Sequence, residues 1–378
     1  MINVAGIGVC LIFLLFILNH KKKTAADAYL AAINVILALF LGLDIVSTTL
    51  LSTELVMALI IMPYFLFPFY FYYGLEIIHY KPPYRFILFL PTIGLVVFML
   101  FDFYIFHTRS QAYAEQIFRY PTLLHHIFYK GELLFTIAGC IWFLKQIKKY
   151  QRGIRDVLSY IEPMELQWLR HVTVAFLCIT CLSLLVYLIY NFNTHLFDIE
   201  LANKIVNGFS VLAIFYMSYH GIRLYAMRAQ PKETVTLPEP EPLAVSDRKY
   251  IKNALPHETL QNIHERLLVL FEKEKPYLES QLQLQELAQR LEVGTHALSQ
   301  TINILAGKSF YDFVNHYRID HFKKLLAEPK NRKFSILALG LDSGFNSKAS
   351  MNRIFKELTG QSPSAFQKMT EKEVLTVS

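Results

Sequence analysis

Four side chains of the stretch 347–358 fall on one helical face: Lys348, Asn352, Arg353 and Lys356. Met351, Ile354, Phe355 and Leu358 take the other. A guanidinium can pair through two hydrogen bonds with guanine, a carboxamide can do so with adenine, and ammonium groups neutralise phosphates. The set therefore suits contact with bases and phosphates. No phosphate loop, nucleophile elbow, kinase signature or metalloprotease spacing occurs anywhere in the chain, which weighs against an enzyme.

A second group of ionisable residues lies in very apolar surroundings: Asp44, Asp102, Lys130, Glu132 and His220, with His125 and His126 close by. Charge inside an apolar helix is costly and marks a functional candidate. His125, Tyr129 and Glu132 share a face through i, i+4, i+7 spacing, and Asp44 is a partner for Lys130. A polar network that fixes helix packing, a ligand-sensing pocket and a metal site all fit. No metal-ligand spacing supports the last of these, and no cofactor is implied. Cys178 and Cys181 have CxxC spacing but lie within one apolar helix, which reads as small packed residues.

The elements that carry these groups divide the chain. Of the 378 residues only 18% are charged, against about 25% in ordinary soluble domains. Residues 1–228 hold 17 Lys/Arg and 12 Asp/Glu, and residues 247–378 hold 19 and 15. The first part, sparse in charge, is of membrane type and the second of soluble type. Seven apolar stretches are candidate spans: 3–19, 27–51, 55–79, 84–106, 123–146, 171–192 and 203–226. Pro63, Pro68 and Pro91 inside them predict kinks. The aromatic run Tyr64–Tyr73 reads as lipid-facing and packing surface.

Loop charge sets the orientation. Lys21, Lys22 and Lys23 follow the first span, which reads as a retained helix with its N-terminus outside. The inner side then collects Lys81, Arg85, Lys145, Lys148, Lys149, Arg152, Arg155 and Arg170, while the outer loops show Arg109, Arg119 and Lys204. Positive charge concentrates inside. The expectation is a multi-pass protein of the bacterial cytoplasmic membrane, its C-terminal part in the cytoplasm.

Residues 229–246, with four prolines and three glutamates, read as a semi-stiff linker. Helical periodicity takes over from 256. Leu260, Ile263, Leu267 and Leu270 mark a first amphipathic helix within the lead-in 247–280. Leu284, Leu287, Ala288 and Leu291 mark the next, and after the turn Glu292-Val293-Gly294 another runs from Thr295 to about Leu305. Two short helices around a Gly-containing turn form a helix-turn-helix. Ser309 and Asp312 cap a long helix to about Leu326. The pattern repeats with Ser335–Leu341, the turn Asp342–Phe345, Asn346 as N-cap and a helix 347–358, closed by Gly360 and followed by Pro363. The stretch 308–368 carries a net +6, and 247–307 a net −1. Lys308, Lys323, Lys324 and Lys356 are phosphate candidates.

The stretches LQELAQRLEVGTHALSQTIN, GKSFYDFVNHYRIDHFKKLL and ILALGLDSGFNSKASMNRIFKELTGQSPSAF resemble the AraC family of bacterial transcription regulators, across about 282–368. With the spans before it, the layout resembles the membrane-bound regulators of that family. The resemblance implies two helix-turn-helix units joined by one long helix, each laying a recognition helix in the major groove. It implies His296, Ser299 and Gln300 as the reading residues of the first, and Lys348, Ser350, Asn352 and Arg353 of the second. The chain departs from the family at Gly294, where Ser is usual, at Gly340 within a helix, and in a first recognition helix without Arg or Lys.

The expected fold is thus all-α: a seven-helix transmembrane bundle (1–228) that senses a signal, the linker 229–246, the lead-in 247–280, an AraC-type domain (281–369) and a tail (370–378). The expected function is a membrane-embedded regulator, not an enzyme. Its implied partners are promoter DNA and membrane lipids, with an unknown small-molecule signal and a second copy as further candidates. The rival reading is a transporter or intramembrane enzyme with a regulatory helical tail, Asp44, Asp102 and Glu132 lying on its path.

Overall fold

The computed structural model describes residues 2–19, 23–43, 62–82, 85–108, 123–161, 166–192, 199–229 and 255–377. Among these the structure is helical, with one isolated antiparallel bridge, Leu158 to Gln283, and no strand. The chain divides into two compact units, residues 1–148 with 166–242, and residues 149–165 with 243–378. The segment 149–165 thus groups with the C-terminal residues although more than 75 positions separate them.

The first unit contains α1 (Ile2–Leu18), α2 (Ala25–Leu43), α3 (Leu66–Ile77), α4 (Leu90–Thr108), most of α5 (Leu123–Arg155), α6 (Gln167–Phe192) and α7 (Ile199–Ala229). Each expected span overlaps one of them. Two, at Ala25–Gly42 and Gln167–Ile189, are long and apolar enough to cross a membrane, with mean hydropathies of 1.8 and 2.6, and Gly6–Leu18 and Phe86–Phe101 are shorter apolar helices. On that criterion seven crossings are not what the described residues return. The prolines sit at helix starts rather than at mid-helix kinks: Pro63 in a 3₁₀ turn before α3, Pro68 in the first turn of α3, and Pro91 in the first turn of α4. There a missing N–H breaks no helical bond.

Packing in this unit rests on aromatic and small residues. Tyr70, Phe71, Tyr72 and Tyr73 are buried, so this part of the aromatic run is core and not lipid-facing surface. A Cβ on Gly74 would stand 2.3 Å from the Phe143 ring. Asn34 donates to the Leu30 carbonyl and the Ser218 hydroxyl, tying α2 to α7. Outward, the helices show Leu11, Ile12, Leu15, Val97, Leu100 and Phe101, each more than half exposed. Cys178 and Cys181 are also exposed, contrary to the packed position expected for them. α5 is 33 residues long, about 50 Å at about 1.5 Å per residue. Lys145, Lys148, Lys149, Arg152 and Arg155 therefore lie on its last turns, not in a loop.

The second unit contains α8 (His257–Lys273), α9 (Leu284–Arg290), α10 (Thr295–Thr301), a π turn at Ile302–Ala306, α11 (Phe310–Ala327), α12 (Ile336–Asp342), α13 (Lys348–Thr359) and α14 (Pro363–Val377). One core joins α8, α9 and α10 to the start of α11 through Leu267, Phe271, Leu287, Leu298 and Val314. The other joins α11, α12 and α13 through Phe322, Leu339, Phe345, Met351 and Phe355. α11 contributes to both, Val314 to the first and Phe322 to the second, and so holds the two helix pairs as one body.

Candidate nucleic-acid interface

The second helix pair is built by its caps. Ser335 accepts from the Ala338 amide and starts α12. At Gly344 φ is +89°, and a Cβ there would lie 2.3 Å from the Tyr277 carbonyl oxygen, so the turn into α13 admits only glycine. The N-cap of α13 is Ser347, which accepts from the Ser350 amide. Asn346, expected to cap, instead donates to the Ser280 carbonyl at 2.7 Å. Gly360, with φ +77°, ends the helix. Gly340 lies under α13, where a Cβ would meet the Met351 sulfur at 2.1 Å. The glycine that costs helix propensity therefore lets the two helices approach closely.

The open side of α13 carries Lys348 and Lys356, both exposed, and Asn352 and Arg353, both half-exposed. Ser350 is 2% exposed, and its hydroxyl donates to the Ser347 carbonyl at 3.0 Å and lies 3.0 Å from the Ser347 hydroxyl. Leu358 is 43% exposed, not buried as its spacing suggests. Arg353 is aimed from outside its own helix. Its Nη2 donates to the Tyr311 hydroxyl of α11 at 3.0 Å, and its Nη1 lies 3.6 Å from Glu357. Tyr311 in turn has the Arg155 guanidinium 5.5 Å from its ring centroid, within cation–π range.

The first helix pair reads differently from its expectation. Gly294 is the N-cap of α10, but its φ is −69°; the left-handed residue of the turn is Glu292, with φ +53°. His296 is exposed, whereas Ser299 is 8% exposed and Gln300 fully buried. Gln300 accepts from the Leu255 amide at 3.4 Å, and Ser299 accepts from Asn303 at 3.4 Å. The five consecutive residues 298–302 are all buried because α10 is covered on more than one side. Neither Ser299 nor Gln300 presents a base-reading group in this structure.

A third contributor was not visible as such in the sequence. Residues 154–161 insert Ile154, Leu158 and Ile161 into the core of the second helix pair. Each fully buried aliphatic contributes about 1.5–3 kcal/mol. The Leu284 amide at the start of α9 donates to the Val157 carbonyl at 2.9 Å, and the Ser159 amide donates to the Leu282 carbonyl at 3.3 Å. Arg318 of α11, 1% exposed, donates to the Ser159 carbonyl at 3.0 Å and to its hydroxyl at 3.1 Å. It also donates to the Tyr277 and Glu279 carbonyls. Burial, reinforced by nearby Asp312, pushes the Asp156 carboxyl up to about 6. Hydrophobic periodicity could mark 154, 158 and 161 as one apolar stripe, but not what they cover.

Residues 287–369 match the family model described as a helix-turn-helix domain. The C-terminal unit holds a DNA-binding helix-turn-helix domain of the AraC type. No curated protein matches the chain. One solved structure that matches is described as a protein of unknown function from Listeria innocua, at 25% identity over 28% of this chain and 95% of that one, with a TM-score of 0.25.

Of the phosphate candidates, Lys324 and Lys356 are exposed, Lys308 is half-buried, and Lys323 pairs with Asp320 at 3.6 Å. Of the candidate sensing residues, Asp44 lies outside the described residues, as do the side chains of Asp102, His125 and His126. Lys130 stands 5.5 Å from the Tyr187 ring centroid. Glu132 accepts from the Thr92 hydroxyl at 3.5 Å, and its other oxygen is buried with no hydrogen-bond partner among the described residues. His220 stacks on Trp168 at 5.8 Å and meets Tyr216 and Tyr219. Among the described residues no group of three or more His, Cys, Asp or Glu could hold a metal. An open, almost wholly apolar groove of about 560 Å³ lies between α6 and α7, with His171 and Tyr216 on its wall.

Proposed function

We propose that this protein is a membrane-embedded transcription regulator that reads a specific DNA sequence on the cytoplasmic side and answers to a signal received by its apolar helices. The observation that carries the DNA half is α13, a capped helix with Lys348, Asn352, Arg353 and Lys356 on its open side, inside a matched helix-turn-helix domain. α13 has 12 residues, about 18 Å at about 1.5 Å per residue, and fits a major groove about 12 Å wide end-on or along its floor. Arg353 reads guanine, Asn352 reads adenine, and the two lysines meet phosphates.

The membrane half is supported by the exposed apolar faces of α1 and α4 and by the hydropathy of α2 and α6. A soluble protein rarely shows contiguous apolar surface on that scale. Seven crossings with the N-terminus outside account for the basic residues at the ends of alternate helices. Glu132 with Thr92 is the polar pair of the bundle on which a signal acts, and a small molecule or a change in the membrane supplies it.

The test uses the full chain in lipid nanodiscs, selecting from random duplexes at moderate salt. The expected result is one enriched motif, with preference at a guanine lost in Arg353→Ala at a cost of about 1–3 kcal/mol. Lys356→Ala should weaken all sequences alike and lower the salt dependence by about one counterion. Enrichment of no motif, or an Arg353→Ala profile identical to the native one, rejects the reading. Labelling of single introduced cysteines on either side of intact cells tests the topology.

A further inference from the structure

The DNA-binding unit is completed by a segment that the sequence places far ahead of it. α5 starts in the first unit, and from Lys149 the chain belongs to the second. Beyond the end of α5 the chain turns at 156–157 and then pairs with the entry to α9 through the isolated Leu158–Gln283 bridge. The DNA-binding unit is therefore tied to the preceding helices at two places, by α5 and by the chain that follows α7.

The segment touches the opening helix of the first pair, the helix that joins the pairs and the second pair. Its Val157 carbonyl accepts from the first free amide of α9, the opening helix of the first pair. Ser159 accepts from Arg318 and Asn315 of α11, the helix that joins the pairs. Ile154, Leu158 and Ile161 pack with Met351, Ile354 and Phe355 of the second pair. Arg155 lies over the ring of Tyr311, whose hydroxyl receives Arg353. From Arg155 to the base-reading arginine there is a single intervening side chain.

We propose that residues 154–161 are the positioning element through which α5 controls DNA reading. Docked, the segment holds the two helix-turn-helix pairs in one relation and Arg353 on its aim. Withdrawn by a movement of α5, it frees the joint between the pairs and lowers sequence-specific affinity. The inference rests on the regulator reading above and names the route of its regulation. The Pro/Glu-rich linker then tethers the domain, and the signal enters through α5. Because an antiparallel bridge brings Cα atoms within about 4.5–5.5 Å, Leu158 and Gln283 are spaced for a disulfide.

The experiment uses the full chain in nanodiscs and the duplex it selects. Leu158→Cys with Gln283→Cys, made with the four native cysteines replaced by alanine, locks the segment in place. The undocking variants are Leu158→Asp and Ser159→Ala, with Ser159→Thr as the conservative control. The oxidised pair should form without DNA and keep native affinity for the selected duplex. Ser159→Ala should lose at least threefold and Leu158→Asp at least tenfold on that duplex, with less than twofold change on unrelated DNA, while Ser159→Thr recovers the preference. Should Leu158→Asp fail to fold, the oxidised pair and the two Ser159 variants still decide.

Undocked variants that discriminate as the native chain does overturn the proposal. So does a pair that will not cross-link, or one that cross-links and loses the duplex. Hydrogen exchange at the Leu284 amide and along α13 follows docking without any DNA. Faster exchange at both sites in Ser159→Ala supports the proposal, and unchanged exchange counts against it. A native chain that selects no motif rejects the regulator reading instead, and the exchange data then judge the docking on their own.

Discussion

The guanidinium of Arg353 donates to the hydroxyl of Tyr311 at 3.0 Å, and the two residues belong to different helices, α13 and α11. The side chain proposed to pair with guanine is thus held by the helix that joins both helix pairs. A flexible arginine held in this way loses less freedom on binding than a free one.

Tyr311→Phe isolates that effect, since it keeps the buried ring and removes only the acceptor. The expected loss of unfolding free energy is about 0.5–1.5 kcal/mol. Preference at the guanine position should fall, though by less than in Arg353→Ala. Binding curves for the selected duplex and its single-base variants measure both. Equal profiles for Tyr311→Phe and the native chain would show that the contact does not aim Arg353.

Arg318 should tolerate no replacement. It is 1% exposed and donates to the carbonyls of Tyr277, Glu279 and Ser159. Arg318→Met strands these acceptors, each at about 1–3 kcal/mol. Arg318→Lys should recover little, because a single ammonium cannot span the fork. Thermal unfolding followed by circular dichroism separates the two variants from the native chain.

Two glycines give opposite predictions. Gly344→Ala forces a Cβ against the Tyr277 carbonyl at φ +89° and should cost more than about 2 kcal/mol. Gly294 caps α10 with φ −69°, and nothing lies within 4 Å of a Cβ there. Gly294→Ser supplies the missing acceptor and should stabilise by a few tenths of a kcal/mol, at most about 1. Denaturant midpoints test both.

Docking of the segment that holds Asp156 should depend on pH. Burial first, and Asp312 second, raise its carboxyl from 3.8 to about 6. A group raised on folding favours the fold most below about 3.8; that advantage is lost as pH climbs to about 6, and the curve is flat beyond. Asp156→Asn should remove this slope and protect the Leu284 amide more strongly at pH 7.5, by about a few-fold after allowance for solvent screening. Exchange measured at pH 4.5 and 7.5 gives the comparison.

The reach of the sequence differs between these features for physical reasons. Spacing of apolar residues located α8 to α13 within a few positions, because each helix buries one stripe, whereas α14 was marked only by its starting Pro363 and runs on through the expected tail to Val377. Local chemistry also named the Ser309 cap and the left-handed Gly360. The burial of Ser299 and Gln300 was not legible, because a seven-residue helix covered on several sides has no single buried stripe to read. Nor was the burial of Ser350, whose side chain, near an N-cap, turns back to its own backbone. The docking of 154–161 depends on a contact between Ser159 and Arg318, 159 positions apart, and nothing local encodes it.

That docked segment also dictates the order in which the protein can be made. Ile154, Leu158 and Ile161 leave the ribosome more than a hundred residues ahead of α9 and nearly two hundred ahead of Met351. At about 5–20 residues per second the wait for Met351 is on the order of ten seconds or more. During the first part of it α6 and α7 are laid down, and for all of it three apolar side chains stand without their full core. The nascent chain must shelter them, at the lipid surface or on a chaperone, until α11 arrives. On the membrane reading proposed above, slow release of α6 and α7 into the bilayer would prolong that exposure and lower the yield of folded C-terminal unit.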